Sequence, residues 1–276
     1  PPSLPEIIYA LIVSGLSVPA LFLAGIVPGL LLAVFLSVFV LIAVKVPPVD
    51  RTGETKTSRS VALFAGVPPL MMPVFVVGSI LMGVVTPTEA ASFAVAYALV
   101  LGMVFYRTVK IGSLPRIFSG AMRDSAVILI IIAAVGAANW LLTYNRVPNV
   151  LTDWVLTNVD SKTTFLFAAI LLFLFVGLFL EGIAAMLVLV PIMHPIAVSM
   201  GVDPIHFGIL VIFNLMIGLI TPPLGLCLFV AEGVAKVGMA RLTRAILPYF
   251  LVEFGVLLIL TFVPQTVTFL PKALGY

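Results

Sequence analysis

The stretch Gly218-Leu219-Ile220-Thr221-Pro222-Pro223-Leu224-Gly225 interrupts an apolar run that extends from about residue 207 to 230. Proline has no N–H, and its ring clashes with the preceding turn. Two in succession leave several backbone carbonyls without amide partners. In hydrocarbon such carbonyls must face protein, water or an ion. Carbonyl oxygens are hard ligands that suit an alkali cation, and Thr221 adds a hydroxyl oxygen. The half-helix after Pro223 points its positive end back at the break, which suits an anionic group. A single double proline of this kind also reads as a simple kink packed by neighbouring helices.

Composition places the run in a membrane. The 276 residues are 62% hydrophobic and 9% charged, with a mean hydropathy of +1.30. A soluble domain carries about 25% charged residues. The surplus apolar surface here calls for a lipid bilayer. The single cysteine, Cys227, gives neither a disulfide framework nor a thiolate site, and His194 and His206 stand far from it, so zinc chemistry is not expected. The start Pro1-Pro2-Ser3 lacks the features of a signal peptide and reads as the interior of an element.

Working outward, apolar segments fall at roughly 4–15, 19–44, 61–84, 88–106, 125–143, 164–180, 184–199, 207–230 and 245–263. Three connecting segments, 45–60, 107–123 and 236–244, hold all but three of the 14 Lys and Arg, the exceptions being Arg146, Lys162 and Lys272. The positive-inside rule makes these segments cytoplasmic. The stretch 164–199 then leaves and returns on the outer side. Its arms are short and its only break is Glu181-Gly182, which favours a re-entrant hairpin. The net charge of +3 follows from these loops and implies no nucleic-acid partner.

The layout repeats. A double proline at Pro1-Pro2 and another at Pro222-Pro223 are each followed by a short helix, a Gly-containing loop and a long apolar helix with an early proline. Pro28 follows Pro1 by 27 residues and Pro248 follows Pro222 by 26. The charge-derived topology makes the copies antiparallel, as in inverted-repeat transporters whose sites lie at the midplane between broken helices. The expected fold is therefore an all-α polytopic membrane protein with inverted repeats, a re-entrant helical hairpin and proline-broken helices.

Alkali-cation ligands are expected among Pro1, Pro2, Ser3, Gly182, Ile220, Thr221 and Pro222. Contacts to an anionic substrate are expected among Ser3, Glu181, Gly182, Thr221 and Pro223. Glu181, an acid in an apolar run, either meets ion or substrate or caps the second arm of the hairpin. Gly182 is expected to supply backbone freedom at a tight tip. Asn214, two turns before Thr221, either ties the unwound backbone or touches the ion. Glu89 follows Thr86-Pro87-Thr88 and reads as a helix cap. Asp203-Pro204 and His206 form a helix entry, and Glu253 stands alone in the last long helix without an assigned role. Trp140, Tyr144 and Trp154 mark the outer interface. Neither metalloprotease spacing, nor paired Asp, nor a Ser–His set suggests an enzyme.

At the Gly218–Gly225 stretch the chain resembles the large membrane subunit of the TRAP (tripartite ATP-independent periplasmic) transporters. Thr86-Pro87-Thr88-Glu89-Ala90-Ala91 is similar to another motif of that family, as are Gly177–Ala185 continuing to Pro191, Ile192 and Pro195, and Asp203–Gly208 with Asn214. Pro1-Pro2-Ser3 with Ala24–Gly29 resembles the family's first half. The resemblance implies an inner-membrane, multi-pass, elevator-type carrier with two hairpins. It would be coupled to Na+ and import an organic acid anion such as a dicarboxylate or sialic acid. A small membrane subunit and a periplasmic substrate-binding protein would be its partners. On this reading residues 1–15, 161–200 and 201–235 form the transport part. Segments 16–60 and 236–276 carry scaffold-type helices, and 61–160 opens the second repeat. The first hairpin and the other wall of the first ion site are expected upstream of Pro1, so this stretch alone is not expected to transport. The alternative is a binding-protein-independent sodium- or proton-coupled anion carrier of the same plan.

Overall fold

A computed structural model describes residues 3–43, 59–159, 161–222 and 225–276. All regular elements among these residues are helical. They are α1 (Leu4–Ile12), α2 (Val18–Ala43), α3 (Arg59–Leu81), α4 (Pro87–Val100), α5 (Leu114–Tyr144), α6 (Val147–Asn158), α7 (Lys162–Gly177), α8 (Gly182–Ser199), α9 (Pro204–Gly218), α10 (Leu226–Ala235), α11 (Met239–Phe262) and α12 (Gln265–Ala273). Among the described residues six helical segments are long and apolar enough to cross a membrane. At 1.5 Å per residue, α2 with 26 residues extends about 39 Å, beyond the ~30 Å of a hydrocarbon core.

The chain divides into two compact units, one holding the described residues of 44–129, the other Ser3–Ala43 with Ile130–Tyr276. In the first, α3 contains Pro68, Pro69 and Pro73 and still runs as one helix. Residue 69 has no N–H to give the Ala65 carbonyl, and the Tyr106 hydroxyl donates to that oxygen at 2.5 Å. Tyr97 also donates to the Pro68 carbonyl, at 2.8 Å, which no proline deprives of its amide. Tyr97 lies in the last turn of α4 and Tyr106 just beyond it, after a π-helical turn over Leu101–Phe105. Large apolar side chains such as Phe64, Leu70 and Met122 stand more than two-thirds exposed, as suits surface facing lipid.

The second unit holds the core. Tyr9, Leu21, Phe173, Met186, Phe207, Leu215, Leu257 and Leu260 are fully buried in one cluster, contributed by α1, α2, α7, α8, α9 and α11. Here too prolines free carbonyls and side chains take them up. Pro191 leaves the Leu187 oxygen of α8 without its amide, and Asn139 Nδ2 donates to it at 3.0 Å. Pro264 does the same to Leu260 at the end of α11, and His206 Nε2 bonds that oxygen at 2.9 Å. The expected apolar segments correspond to helices, but α5 starts at Leu114, ahead of the expected 125, and α6 and α12 fall outside the expected segments. Helix α6 carries proline in its first turn, a usable start signal.

Candidate functional site

The descending limb of the site is α9, with eleven of its 15 residues buried. Asp203 starts it: one carboxylate oxygen accepts from the amides of Ile205 and His206 at 2.9 and 3.1 Å. The helix stops at Gly218 for the expected reason, since residues 222 and 223 have no N–H to continue the ladder. The Gly218 carbonyl takes the Thr221 amide at 3.1 Å and the Leu219 carbonyl takes Cys227 N–H at 3.0 Å. The Thr221 carbonyl accepts from Gly225, also at 3.0 Å. Gly225 must be glycine for space: a Cβ there would lie 2.7 Å from the Leu219 oxygen. Among the described residues no amide is donated to the carbonyls of Ile220 and Pro222. The Thr221 hydroxyl, buried, donates to the Ile217 carbonyl at 2.7 Å, which leaves its lone pairs available. Helix α10 then leaves the break with its first amides uncapped by any side chain.

The hairpin α7–α8 brings its tip against this limb. Arm α7 ends at Gly177, and a Cβ on Gly218 would lie 2.8 Å from the Gly177 Cα. The two backbones thus touch: a Cβ does not fit at Gly218, and one at Gly177 would press on the Gly218 Cα at 3.2 Å. Glu181 caps the second arm: its Oε2 accepts from Ile183 and Ala184 amides at 2.9 and 3.1 Å. Gly182 is the first residue of α8, buried against Leu215 and Met216. No residue of the tip has a positive φ, so the freedom expected of Gly182 is not what the position uses. Asn214, fully buried, donates from Nδ2 to the Ile170 carbonyl of α7 at 2.7 Å. It ties the hairpin's first arm to α9, not the unwound backbone.

Ser3 caps α1, accepting from the Glu6 amide at 3.4 Å. Pro1, Pro2 and Pro223 lie outside the described residues. One turn on from Glu6, the fully buried Tyr9 joins three elements. Its hydroxyl meets His194 Nδ1 of α8 at 2.8 Å, and a Cβ on Gly208 of α9 would lie 2.6 Å from its ring. Glu6 and Ile220 line a common cavity, so the start of α1 and the end of α9 face the same space. Glu89, in the other unit, completes a capping box with Thr86, accepting from the Thr86 amide at 2.7 Å. The residues missed in the sequence are the ones that hold the frame: Glu6, Tyr9, Asn139, Gly177 and Gly208. Their signal was a polar or small residue in an apolar helix. Among the described residues no group of three His, Cys, Asp or Glu could hold a metal ion.

Comparison with known proteins agrees with this plan. The family model described as "Tripartite ATP-independent periplasmic transporter, DctM component" matches residues 1–266. The sialic acid TRAP transporter large permease protein SiaM of Vibrio cholerae is 38% identical over 283 residues, covering 100% of this chain and 65% of that protein. The C4-dicarboxylate TRAP transporter large permease protein DctM of Rhodobacter capsulatus is 34% identical over 289 residues, covering 100% and 66%. The 2,3-diketo-L-gulonate TRAP transporter large permease protein YiaN of Escherichia coli is 33% identical over 270 residues, covering 97% and 63%. The chain thus spans about two-thirds of the length of these relatives. They are permeases and not enzymes, and they reside in the inner membrane. With its full-length match, its membrane-crossing helices and its hairpin seated on a proline-broken helix, the chain belongs to the DctM large-permease family of the tripartite ATP-independent periplasmic transporters.

Proposed function

We propose that this chain forms most of the membrane permease of a sodium-coupled secondary transporter that imports an organic acid anion. The apposition of the hairpin tip and the broken helix carries the reading: Gly177 against Gly218 backs a turn in which the Ile220 and Pro222 carbonyls take no amide among the described residues. Those oxygens, with the Thr221 hydroxyl and the Gly182 backbone, would hold a sodium ion as co-transported cargo. Ser3, with Pro1 and Pro2, would form one wall of a second ion site. The start of α10, which no side chain caps, would face the anionic group of the substrate, with Glu181 and Gly182 as further contacts. Inverted repeats meeting at broken helices favour alternating access by displacement of one bundle. In the elevator form of that motion, α1, the hairpin, α9 and α10 would travel together.

The names of the relatives favour sialic acid, C4-dicarboxylates or a sugar-derived keto acid as the class of cargo. They also favour a small membrane subunit and a soluble periplasmic binding protein as partners. Reconstituted with those partners, the full-length permease is expected to take up its acid only when the binding protein is present. Uptake by the membrane part alone would replace this reading with a binding-protein-independent carrier. Thr221→Val keeps the shape and removes the hydroxyl. It is expected to raise the sodium concentration for half-maximal uptake about tenfold, equivalent to ~1.4 kcal/mol, at unchanged protein yield. An unaltered sodium dependence would reduce the break to a kink.

A further inference from the structure

The cavity shared by Glu6 and Ile220 has a volume of about 320 Å³ and is walled by α1, α2, α9 and α11. That volume lies in the range of small-molecule sites. Most of its wall is apolar, with Pro28, Phe213 and Met216 prominent, and its charged members are two carboxylates, Glu6 and Glu253. Glu6 is 4% exposed, and its Oε2 has no hydrogen-bond partner among the described residues. Glu253, from α11, is half-buried. Among the described residues no Lys, Arg or His lines the cavity. A buried carboxylate ionises only when it is paired with a counter-charge, and none of the described residues that wall the cavity supplies one. Hard metal ions need many oxygen ligands, and these walls are carbon. An ammonium bearing carbon substituents satisfies both features: its charge meets the carboxylates and its carbon meets the walls.

We infer that this cavity seats the ammonium group of a small organic cation, held by Glu6 and Glu253. The ammonium belongs either to a free amine or to a zwitterionic acid whose carboxylate faces the adjoining break. Ile220 borders the cavity, but binding of the ammonium to Glu6 and Glu253 requires neither a sodium gradient nor a binding protein, so it stands or falls apart from the transport reading.

The test is binding of n-butylammonium chloride to the purified full-length permease, read by calorimetry and thermal stabilisation, against sodium chloride at equal ionic strength. Saturable binding by butylammonium alone is expected, with Glu6→Gln and Glu253→Gln each weakening it at least about tenfold. The Glu253 variant and the sodium control keep the test decisive if Glu6→Gln does not fold. No saturable binding, equal binding by sodium, or affinity unchanged in a folded variant would overturn the inference. A second arm compares γ-aminobutyrate with butyrate. Preference for the amine-bearing acid assigns the ammonium to a zwitterion, and butylammonium binding without that preference assigns it to a free amine.

Discussion

Two proline sites in the same compact unit have opposite consequences. At Pro191, α8 continues, and the one carbonyl it loses, Leu187, is paired by Asn139 from α5. At Pro222-Pro223, α9 ends and the chain turns: the two carbonyls these prolines free, Gly218 and Leu219, are taken by the Thr221 and Cys227 amides, and those of Ile220 and Pro222 take no amide among the described residues. The difference lies in what surrounds each proline. Pro191 removes one donor from an otherwise continuing ladder, and a single side chain from another helix satisfies the orphan. The double proline removes two successive donors, and Gly218 and Gly225 allow close approach by backbone alone.

The largest test of this contrast is at the seat of the break. Gly218→Val places a branched side chain where even a Cβ lies 2.8 Å from the Gly177 backbone, which has no rotamer to yield. The hairpin must lift off α9. A loss of about 3 kcal/mol, seen as a large drop in the melting temperature of detergent-solubilised full-length permease, is expected. A melting temperature near that of the native protein would mean that the hairpin tip and the break are not held together.

Much of this was legible in the sequence, and what was not has a physical reason. The long helices follow from apolar runs bounded by basic loops. The caps at Glu89, Glu181 and Asp203 follow from an acid or hydroxyl beside a helix start, because a cap is a local bond of two or three residues. Asn139, Asn214 and His206 answer carbonyls 48, 44 and 54 residues away, and nothing in local spacing announces such partners. Gly182 stands out in the sequence for its conformational freedom, yet its φ is not positive and a Cβ there would meet chiefly the movable end of the Met216 side chain. The short helices α6 and α12 escape notice because neither is long or apolar enough to register as a span.

A smaller effect separates the answered kink from the break. Asn139→Leu leaves the Leu187 oxygen without a partner in α8. It is expected to cost about 2 kcal/mol of stability while sodium dependence of uptake stays unchanged. Pro191→Ala restores the missing N–H, so the double variant should recover most of that loss. The non-additivity of the cycle isolates the pairing. If Asn139→Leu costs the same in the Pro191→Ala background as in the native chain, the asparagine is not answering the proline.

The smallest effect is expected in the other unit, where Tyr106 answers the Ala65 carbonyl freed by Pro69. Tyr106 is 38% exposed, so its hydroxyl competes with other donors at the surface. Tyr106→Phe is expected to cost about 0.5–1 kcal/mol, and the cost should vanish in a Pro69→Ala background, where the helix supplies its own donor. The same cycle at Asn139 should give the larger coupling because that oxygen is better shielded. Equal couplings at the two positions would show that shielding does not set the cost. The distinction between an answered and an unanswered carbonyl would then rest on geometry alone.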